Sequence, residues 1–395
     1  MIDIIRFKNY RIFRAEQELH LHPVTIVFGK NNTGKSAILK LPILIENILE
    51  NEGKEIISDS FGMGPVLFTE LRDVVYGKAT KAVELGISDK SLSASLNLSF
   101  FVDSTVKPNS RIEKCKIVDG DIIHQLQWET DELYHIDGSL DVVNIDFNGI
   151  KPINHDREVY KNVIEKLHFS TDYIGSVREL PQIDMRMQST VLSNSGVTGI
   201  NNFQKLIADA LGDNIFAEKV VNWYKDNFDG WLLKVDKSRL PVIHLELEKN
   251  GIHTNITETG MGIMQSLPIV IRACAPCDEP TLISIEEPET HLHSSAHASL
   301  GELIALSAKE DTNKRYLIET HSKNFILRLR RLIANKQLDI DDVALYYVDF
   351  DEKNACSSLR KINIGIDGSV DFWPNRMFDE SLQETLAIRT IQLTQ

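Results

Sequence analysis

The sequence has few cysteines, no long apolar run and no excess of basic charge, and each absence excludes a class of protein. Four cysteines among 395 residues do not form a disulfide framework and suit a reducing cytoplasm. No stretch is long and apolar enough to span a bilayer, and residues 1–7 do not have the pattern of a signal peptide. The net charge of -14 argues against a uniformly basic surface for nucleic acid, but it is compatible with a local basic groove. These features predict a cytoplasmic globular protein that makes no contact with a membrane.

Heptad patterns, internal repeats and low-complexity tracts are also missing. Their absence excludes a long coiled-coil arm and a solenoid. Short β-branched runs and amphipathic helical patterns are present instead, and they are typical of an α/β protein.

The most specific feature is the octet GKNNTGKS at residues 29–36, which fits G-x-x-x-x-G-K-[ST] at every fixed position. A β-branched run at 24–28 precedes it, and a helical pattern at 37–57 follows. A glycine-rich loop between a strand and a helix presents backbone N–H groups to phosphate. The pattern therefore predicts an ATP site in which Lys35 contacts the β- and γ-phosphates and Ser36 ligates Mg²⁺. The other loop residues expected at the nucleotide are Gly29, Asn31, Asn32, Thr33 and Gly34.

A predicted hairpin in residues 1–28 precedes this loop and contains two aromatic residues, Tyr10 and Phe13. Either could stack on adenine, although core packing is the more common role of such residues. Arg11, between them, could approach a phosphate.

A second stretch, at 257–268, places glycines at the start of a predicted helix. Thr259, Gly260 and Gly262 would then surround a second set of free N–H donors. The simpler interpretation is a plain helix start.

A third stretch, at 281–287, is an apolar strand that ends in Glu286 and Glu287. In a nucleotide site, Glu286 can hold Mg²⁺ directly or through water, and Glu287 can orient and polarise the attacking water. Without the phosphate loop, the same residues would be interpreted as an exposed acidic turn.

A fourth stretch, at 316–322, is another buried strand, and His321 follows its end. Strands of an α/β sheet bind ligands at their carboxyl ends. His321 can therefore contact the γ-phosphate, or it can be a structural histidine.

The region between these motifs predicts two attached layers. Short alternating runs separated by turns at 82–150 indicate an antiparallel β layer. A helix at 156–168, a strand at 169–175 and amphipathic helices at 199–228 indicate a helical lobe.

In this order the four motifs resemble the ABC-type ATPase heads shared with SMC proteins. The closest resemblance is to the prokaryotic AAA/OLD-like ATPases, whose Walker B segment often reads EEPExxLHP; Ser294 replaces the final proline here. The motifs then correspond to Walker A, a signature-like segment, Walker B and a switch histidine. Residues 367–379 resemble a tail domain of unknown function found on some of these ATPases. The expected division of the chain is 1–57 and 251–345 for the two parts of the ATPase core, 58–250 for the β layer and helical insertion, and 346–395 for a hairpin and tail.

The resemblance implies a mechanism and a set of partners. Such heads pair head to tail with ATP and Mg²⁺ between them, as an ATP-dependent homodimer or a higher even-numbered assembly. Glu287 and His321 would act in hydrolysis, and Gln182 is the candidate for the glutamine loop. The implied function is a nucleotide-driven switch or sensor in an anti-phage defence or DNA-maintenance complex. A separate effector, for which a nuclease is the leading candidate, would act on the target, and nucleic acid is a further candidate partner.

Two other functions are weaker alternatives, namely a nuclease in its own right and a transporter ATPase. Asp349, Asp351 and Glu352 resemble the acidic residues of a TOPRIM nuclease, although 351–354 also fits a hairpin turn. Three further clusters fit structural roles better than chemical ones. They are Cys274 with Cys277, the histidines His291, His293 and His297, and the arginines Arg328, Arg330 and Arg331.

Overall fold

The computed structural model describes residues 1–53, 55–60, 62–103, 109–374, 377 and 380–394. The strands are β1 (Ile4–Lys8), β2 (Gln17–His20), β3 (Val24–Gly29), β4 (Ala82–Asp89), β5 (Ala94–Asp103), β6 (Asn109–Asp119), β7 (Ile122–Thr130), β8 (Leu133–Ile136), β9 (Val142–Asn144), β10 (Phe147–Asn148), β11 (Lys151–Pro152), β12 (Ser170–Ile174), β13 (Met185–Arg186), β14 (Leu232–Arg239), β15 (Val242–Lys249), β16 (Ile252–Asn255), β17 (Thr281–Glu286), β18 (Lys314–Glu319), β19 (Val343–Asp351) and β20 (Cys356–Ile362). The helices are α1 (Lys35–Glu50), α2 (Arg157–Lys166), α3 (Asn201–Leu211), α4 (Ala217–Asn227), α5 (Met261–Cys274), α6 (Ser294–Glu310), α7 (Lys323–Ala334) and α8 (Glu380–Thr394).

A six-stranded sheet in the order β12-β17-β18-β3-β19-β20 forms the centre of the molecule. Its first five strands are parallel, and β20 is antiparallel at one edge. Alternate residues of β19 enter different cores: Ala344 and Tyr346 pack on one side, and Leu345 and Tyr347 pack on the other. Because both faces are covered, β3 and the first six residues of β19 are buried without a break, as parallel strands in α/β proteins usually are.

An eight-stranded antiparallel sheet in the order β2-β1-β4-β5-β6-β7-β8-β9 covers one side together with α1 and α2. Helices α3 to α7 cover the other side. A smaller antiparallel sheet joins β13 and β14 to β15, with β16 also paired to β15. The predicted α/β head with an antiparallel β layer and a helical lobe is confirmed.

One local prediction differs from the structure. The helix expected to reach residue 57 ends at Glu50, because Asn51 is extended and its side chain bonds the backbone of Gly53 and Glu55 instead. The predicted N-terminal hairpin is confirmed, since β1 and β2 pair antiparallel, and both strands belong to the eight-stranded sheet.

No helix in the part of the chain that the structure describes is long and apolar enough to cross a membrane. In the predicted tail motif, Phe378 and Asp379 lie outside the described residues. Within that motif, Trp373 stacks on Phe28 of β3, so part of the tail packs against the central sheet.

Candidate nucleotide-binding site

Three of the four sequence motifs lie at the carboxyl ends of the central strands β3, β17 and β18, and the signature-like segment lies at the start of α5. Strand β3 leads into the phosphate loop and lies between β18 and β19 in the sheet. Strand β17, which carries Glu286, is the next neighbour of β18. The sheet order therefore brings residues that are almost 300 positions apart in sequence to one edge.

Two glycines let the phosphate loop fold tightly. A Cβ atom at Gly29 would lie 2.5 Å from the carbonyl oxygen of Val348, and one at Gly34 would lie 2.5 Å from the side chain of Ile12. Gly34 also has a φ of +99°, which disfavours other residues. Helix α1 begins directly after it with no side-chain cap, so its first N–H groups are directed to a ligand position. Asn31 and Asn32 are exposed at the tip of the loop, and Thr33 is buried.

Lys35 and Ser36 converge on a third residue, Glu319 at the end of β18. The Ser36 hydroxyl donates to Glu319 Oε2 at 2.9 Å, and Lys35 Nζ lies 3.5 Å from Glu319 Oε1. Lys35 Nζ also donates to the carbonyl oxygen of Lys30 at 2.8 Å. Burial raises the pKa of Glu319, and the charge of Lys35 opposes that shift. Sequence reasoning missed Glu319, although its position two residues before His321 at a strand end was a usable signal.

Glu287 and His321 lie close together. His321 Nε2 lies 3.7 Å from Glu287 Oε1 and 4.0 Å from Glu319 Oε1. Thr290 donates to Glu287 Oε2 at 3.1 Å, and the backbone N–H of His321 donates to Glu289 at 2.5 Å. Burial and the nearby charge of Lys35 lower the pKa of His321, so its imidazole is neutral at neutral pH.

Glu286 makes a different contact from the one expected of a metal ligand. It lies beside Glu319 in the β17–β18 register, but its carboxylate accepts a hydrogen bond from the hydroxyl of Tyr173. Burial, followed by the charge of Glu286, raises the pKa of that phenol. Glu319, and not Glu286, contacts Ser36 in this structure, and the metal role of Glu286 stays a prediction.

Arg178 binds the backbone of the turn that contains Glu286 and Glu287. It was not identified as a site residue from the sequence. Its guanidinium Nη2 donates to the carbonyl oxygens of Glu286 and Glu287 at 2.6 and 2.8 Å. Its own backbone N–H and carbonyl bond the side chain of Gln265 on α5. Burial lowers the pKa of Arg178 to about 10, so the group stays charged at neutral pH. Arg178 thus links helix α5 to the backbone of Glu286 and Glu287.

The signature-like segment is on the surface, at the start of α5. Gly260 is exposed, is the N-cap of the helix and has no atom within 4 Å of where a Cβ would lie. Gly262 is enclosed instead, since a Cβ there would lie 2.5 Å from the carbonyl oxygen of His291. The Thr259 hydroxyl bonds the carbonyl of Ile256. Gly262 thus lies close to the backbone of the turn after Glu287, and the Thr259 hydroxyl bonds within its own segment.

The other sequence candidates have structural roles or lie apart. Tyr10 and Phe13 are buried, and Tyr10 donates to the carbonyl of Ala37, which confirms core packing. Arg11 donates to the carbonyl of Leu67, and its approach to a phosphate stays a prediction. Gln182 is exposed in the connection between β12 and β13, and its role as the glutamine loop stays a prediction.

The weaker clusters also have structural roles. Asp351 accepts hydrogen bonds from Lys353 and Asn354, which confirms the hairpin turn. Burial raises the pKa of Cys274 to about 12, and Cys277 accepts from Arg272. Histidines and arginines of the other two clusters also bond neighbouring residues. His293 caps α6, His297 bonds Ser322 and the carbonyl of Leu292, Arg328 pairs with Glu302, and Arg330 bonds the carbonyl of Gly368.

The residues present fit a nucleotide with a hard divalent cation. The loop supplies a backbone cradle and a buried ammonium group at Lys35. Ser36 and the carboxylates of Glu319 and Glu287 supply the oxygen ligands that Mg²⁺ prefers, and a ligand atom of Glu319, one of Glu287 and one of His321 lie within 4.8 Å of one another.

Family models match two parts of the chain. Residues 154–326 match the family model described as AAA ATPase domain, and residues 338–388 match a family described as a protein of unknown function, DUF3696. The first match includes Thr259–Gly262, Glu286, Glu287 and His321 and begins after the phosphate loop. These matches agree with an ATPase of the AAA type and with a tail of unknown function. No curated protein sequence matches the chain.

Solved structures of SMC heads are similar to this chain at low identity. An SMC head domain from Thermotoga maritima has a TM-score of 0.42 at 12% identity, covering 92% of this chain and 99% of the other. An SmcHead bound to the C-winged helix domain of ScpA has a TM-score of 0.46 at 11% identity, with 92% and 97% covered. An Smc head with an extended coiled coil, bound to the C-terminal domain of ScpA derived from Pyrococcus furiosus, has a TM-score of 0.42 at 11% identity, with 98% and 99% covered.

Proposed function

We propose that two copies of this ABC-type ATPase bind Mg²⁺-ATP between them and hydrolyse it. The cycle would switch a separate effector in a cytoplasmic anti-phage defence or DNA-maintenance complex. The observation that carries the proposal is the convergence of Lys35, Ser36, Glu287, Glu319 and His321 at one edge of the central sheet.

Each of these side chains has a distinct task in the proposed reaction. Lys35 neutralises phosphate charge, and Ser36 with Glu319 holds the cation. Glu287 orients the attacking water and accepts its proton, while neutral His321 is placed to hydrogen-bond the γ-phosphate. When bound, ATP supplies the bond that is broken and Mg²⁺ supplies charge stabilisation of the phosphate oxygens.

The position of Gly260 supports a composite site formed by two copies. Gly260 is exposed at the N-terminus of α5, no side chain caps the helix there, and no described atom lies within 4 Å of where its Cβ would be. An exposed N-terminus can complete the phosphate site of another copy, and a two-fold axis completes both sites at once.

A separate effector is favoured over nuclease activity in this chain. The acidic residues that resembled a nuclease site include Asp351, whose carboxylate is used by the backbone and side chain of its own turn. The effector, for which a nuclease is our leading candidate, and any nucleic acid would therefore be further components of the complex.

Two variants test the ATPase proposal. Lys35→Ala should abolish tight ATP binding, because the phosphates lose their cationic partner. Glu287→Gln should bind ATP and hydrolyse it at least about a hundredfold more slowly, since the group that accepts the proton is lost. Fluorescent-nucleotide titration and phosphate release measure the two effects, and Lys40→Ala on α1 is the matched control. Unchanged affinity in Lys35→Ala removes the Walker A assignment, and near-normal turnover in Glu287→Gln moves the catalytic role to Glu286 or Glu289.

A further inference from the structure

The small sheet carries a cluster of ligand-type side chains remote in sequence from the phosphate loop. One ligand atom from each of Asp236, His244 and Glu246 lies within 4.8 Å of the other two. Asp236 on β14 is directly opposite His244 on β15 in the antiparallel register. Glu246 is two residues further along β15, so it is on the same face of the strand.

Two more side chains of the same chemical types surround these three. Asp184, directly before β13, contacts His244 Nε2 through Oδ1 at 2.9 Å. His253 on β16 contacts Glu246 Oε2 through Nδ1 at 3.2 Å. Three carboxylates and two imidazoles therefore meet from four separate segments. His244, at the centre, is only 9% exposed, which is low for an imidazole on the polar face of a sheet.

The charges at this cluster favour a bound cation. With neutral imidazoles, the five side chains carry three negative charges. Lys234, a basic residue of β14, is opposite Glu246 in the register. Its Nζ lies 3.6 Å from Oε2 of Glu248, so it forms an ion pair with Glu248. Ser238 donates to both oxygens of Asp236, and each oxygen keeps a further lone pair for a metal.

We propose that Asp236, His244 and Glu246 bind a divalent transition-metal ion of the Zn²⁺ class. Imidazole nitrogen with carboxylate oxygens is a ligand set suited to Zn²⁺, whereas Mg²⁺ selects oxygen ligands alone. Asp184 and His253 orient the ligands from the second layer, as carboxylates and other polar groups do around metal-bound histidines. The ion joins β14 to β15 and fixes the segment before β13, the same connection that begins near Arg178. Its role is therefore structural, and it does not depend on the proposed ATPase function.

Titration of the full-length, chelator-treated protein with Zn²⁺ alone, by calorimetry without nucleotide, tests this site. We expect one tight site per chain from this cluster and a higher melting temperature with Zn²⁺ but not with Mg²⁺. The double variant Asp236→Asn/His244→Gln should lose this site and the thermal shift. Glu246→Gln should weaken Zn²⁺ binding by at least about tenfold while leaving the fold intact, which circular dichroism checks.

Two control variants establish whether Zn²⁺ binds at this cluster or elsewhere on the chain. Glu248→Gln lies on the same strand face outside the cluster and should bind Zn²⁺ as the unaltered protein does. Glu287→Gln/His321→Ala removes two of the three ligand-type side chains of the nucleotide site and should keep the Zn²⁺ site on the small sheet. The proposal is overturned if Zn²⁺ binding is lost in Glu287→Gln/His321→Ala, or if Glu246→Gln binds Zn²⁺ as tightly as the unaltered protein. It is also overturned if the unaltered protein binds Zn²⁺ with a dissociation constant above about 100 µM, where each tenfold loss of affinity is about 1.4 kcal/mol.

Discussion

Glu319 contacts both side chains of the phosphate loop on which ATP binding is expected to depend. Its carboxylate accepts from Ser36 at 2.9 Å and lies 3.5 Å from Lys35 Nζ, and the residue is only 5% exposed. A buried carboxylate beside a serine hydroxyl is a natural partner for Mg²⁺ or for one of its waters. The same carboxylate would repel phosphate if no cation lay between them.

Glu319→Gln therefore has opposite expected effects with and without metal. With Mg²⁺ present, ATP affinity should fall by at least about tenfold, because an oxygen ligand or second-layer partner of the metal becomes neutral. In excess chelator, ATP affinity should stay the same or rise, because negative charge near the phosphates is removed. Nucleotide titrations under both conditions measure the effects, and Glu310→Gln on the surface of α6 is the control. An equal loss in both conditions contradicts a metal role, and a metal-dependent loss in Glu286→Gln alone supports the assignment to Glu286.

At the scale of elements, the edge strand β12 is attached to the helical lobe by a buried ion pair. Asp172 accepts from Arg272 Nε of α5 at 2.6 Å and from the backbone and hydroxyl of Ser195 at 2.8 Å. Burial raises the pKa of Asp172, but the charge of Arg272 and the hydrogen bonds outweigh it, and the net pKa is lowered. Because the folded pKa is below the unfolded one, this stabilisation is present above about pH 4 and is lost as the pH falls through the folded pKa.

Asp172→Asn should lower the free energy of unfolding by about 3–5 kcal/mol, because it leaves Arg272 buried without its counter-charge. Urea denaturation at pH 7 measures the loss, and Asp226→Asn on the exposed face of α4 is the matched control. The difference between Asp172→Asn and the unaltered protein should shrink as the pH is lowered below about 4. A loss under about 1 kcal/mol at pH 7 would show that the pair contributes little beyond its desolvation cost.

At the scale of the whole molecule, the main prediction concerns assembly. Glu287→Gln with Mg²⁺-ATP should shift toward a dimer or a higher even-numbered assembly, because slow hydrolysis keeps the nucleotide in the interface. Adding Gly260→Asp should weaken this shift by placing a carboxylate near the γ-phosphate. The space around Gly260 accepts a side chain without a clash, so the variant should fold normally.

Analytical ultracentrifugation of both variants, with and without ATP, measures this assembly. Thr312→Asp, in the exposed turn before β18, adds the same charge at the opposite edge of the sheet and is the control. The composite site is excluded if Glu287→Gln stays strictly monomeric when saturated with ATP and the unaltered protein hydrolyses ATP normally as a monomer. Gly262→Ala is unsuitable for this test, because its Cβ would lie 2.5 Å from the carbonyl oxygen of His291.

The sequence by itself determined the features that depend on local patterns. The phosphate loop, the strand that ends at Glu286, the position of His321 and the alternation in 82–150 each need only neighbouring residues to be recognised. The boundary of α1 was misplaced, because the side-chain bonds of Asn51 to Gly53 and Glu55 compete with the helix and leave no clear periodic signal.

Only the tertiary structure decided which distant residues meet. The placement of β18 between β17 and β3 brings Glu319 to Ser36, and no sequence spacing indicates a contact across 283 positions. Arg178 could not be recognised from the sequence for the same reason, since it bonds two backbone carbonyls more than a hundred residues away. Strand order follows from how apolar faces pack over the whole chain, and this packing is a collective property that local patterns do not contain.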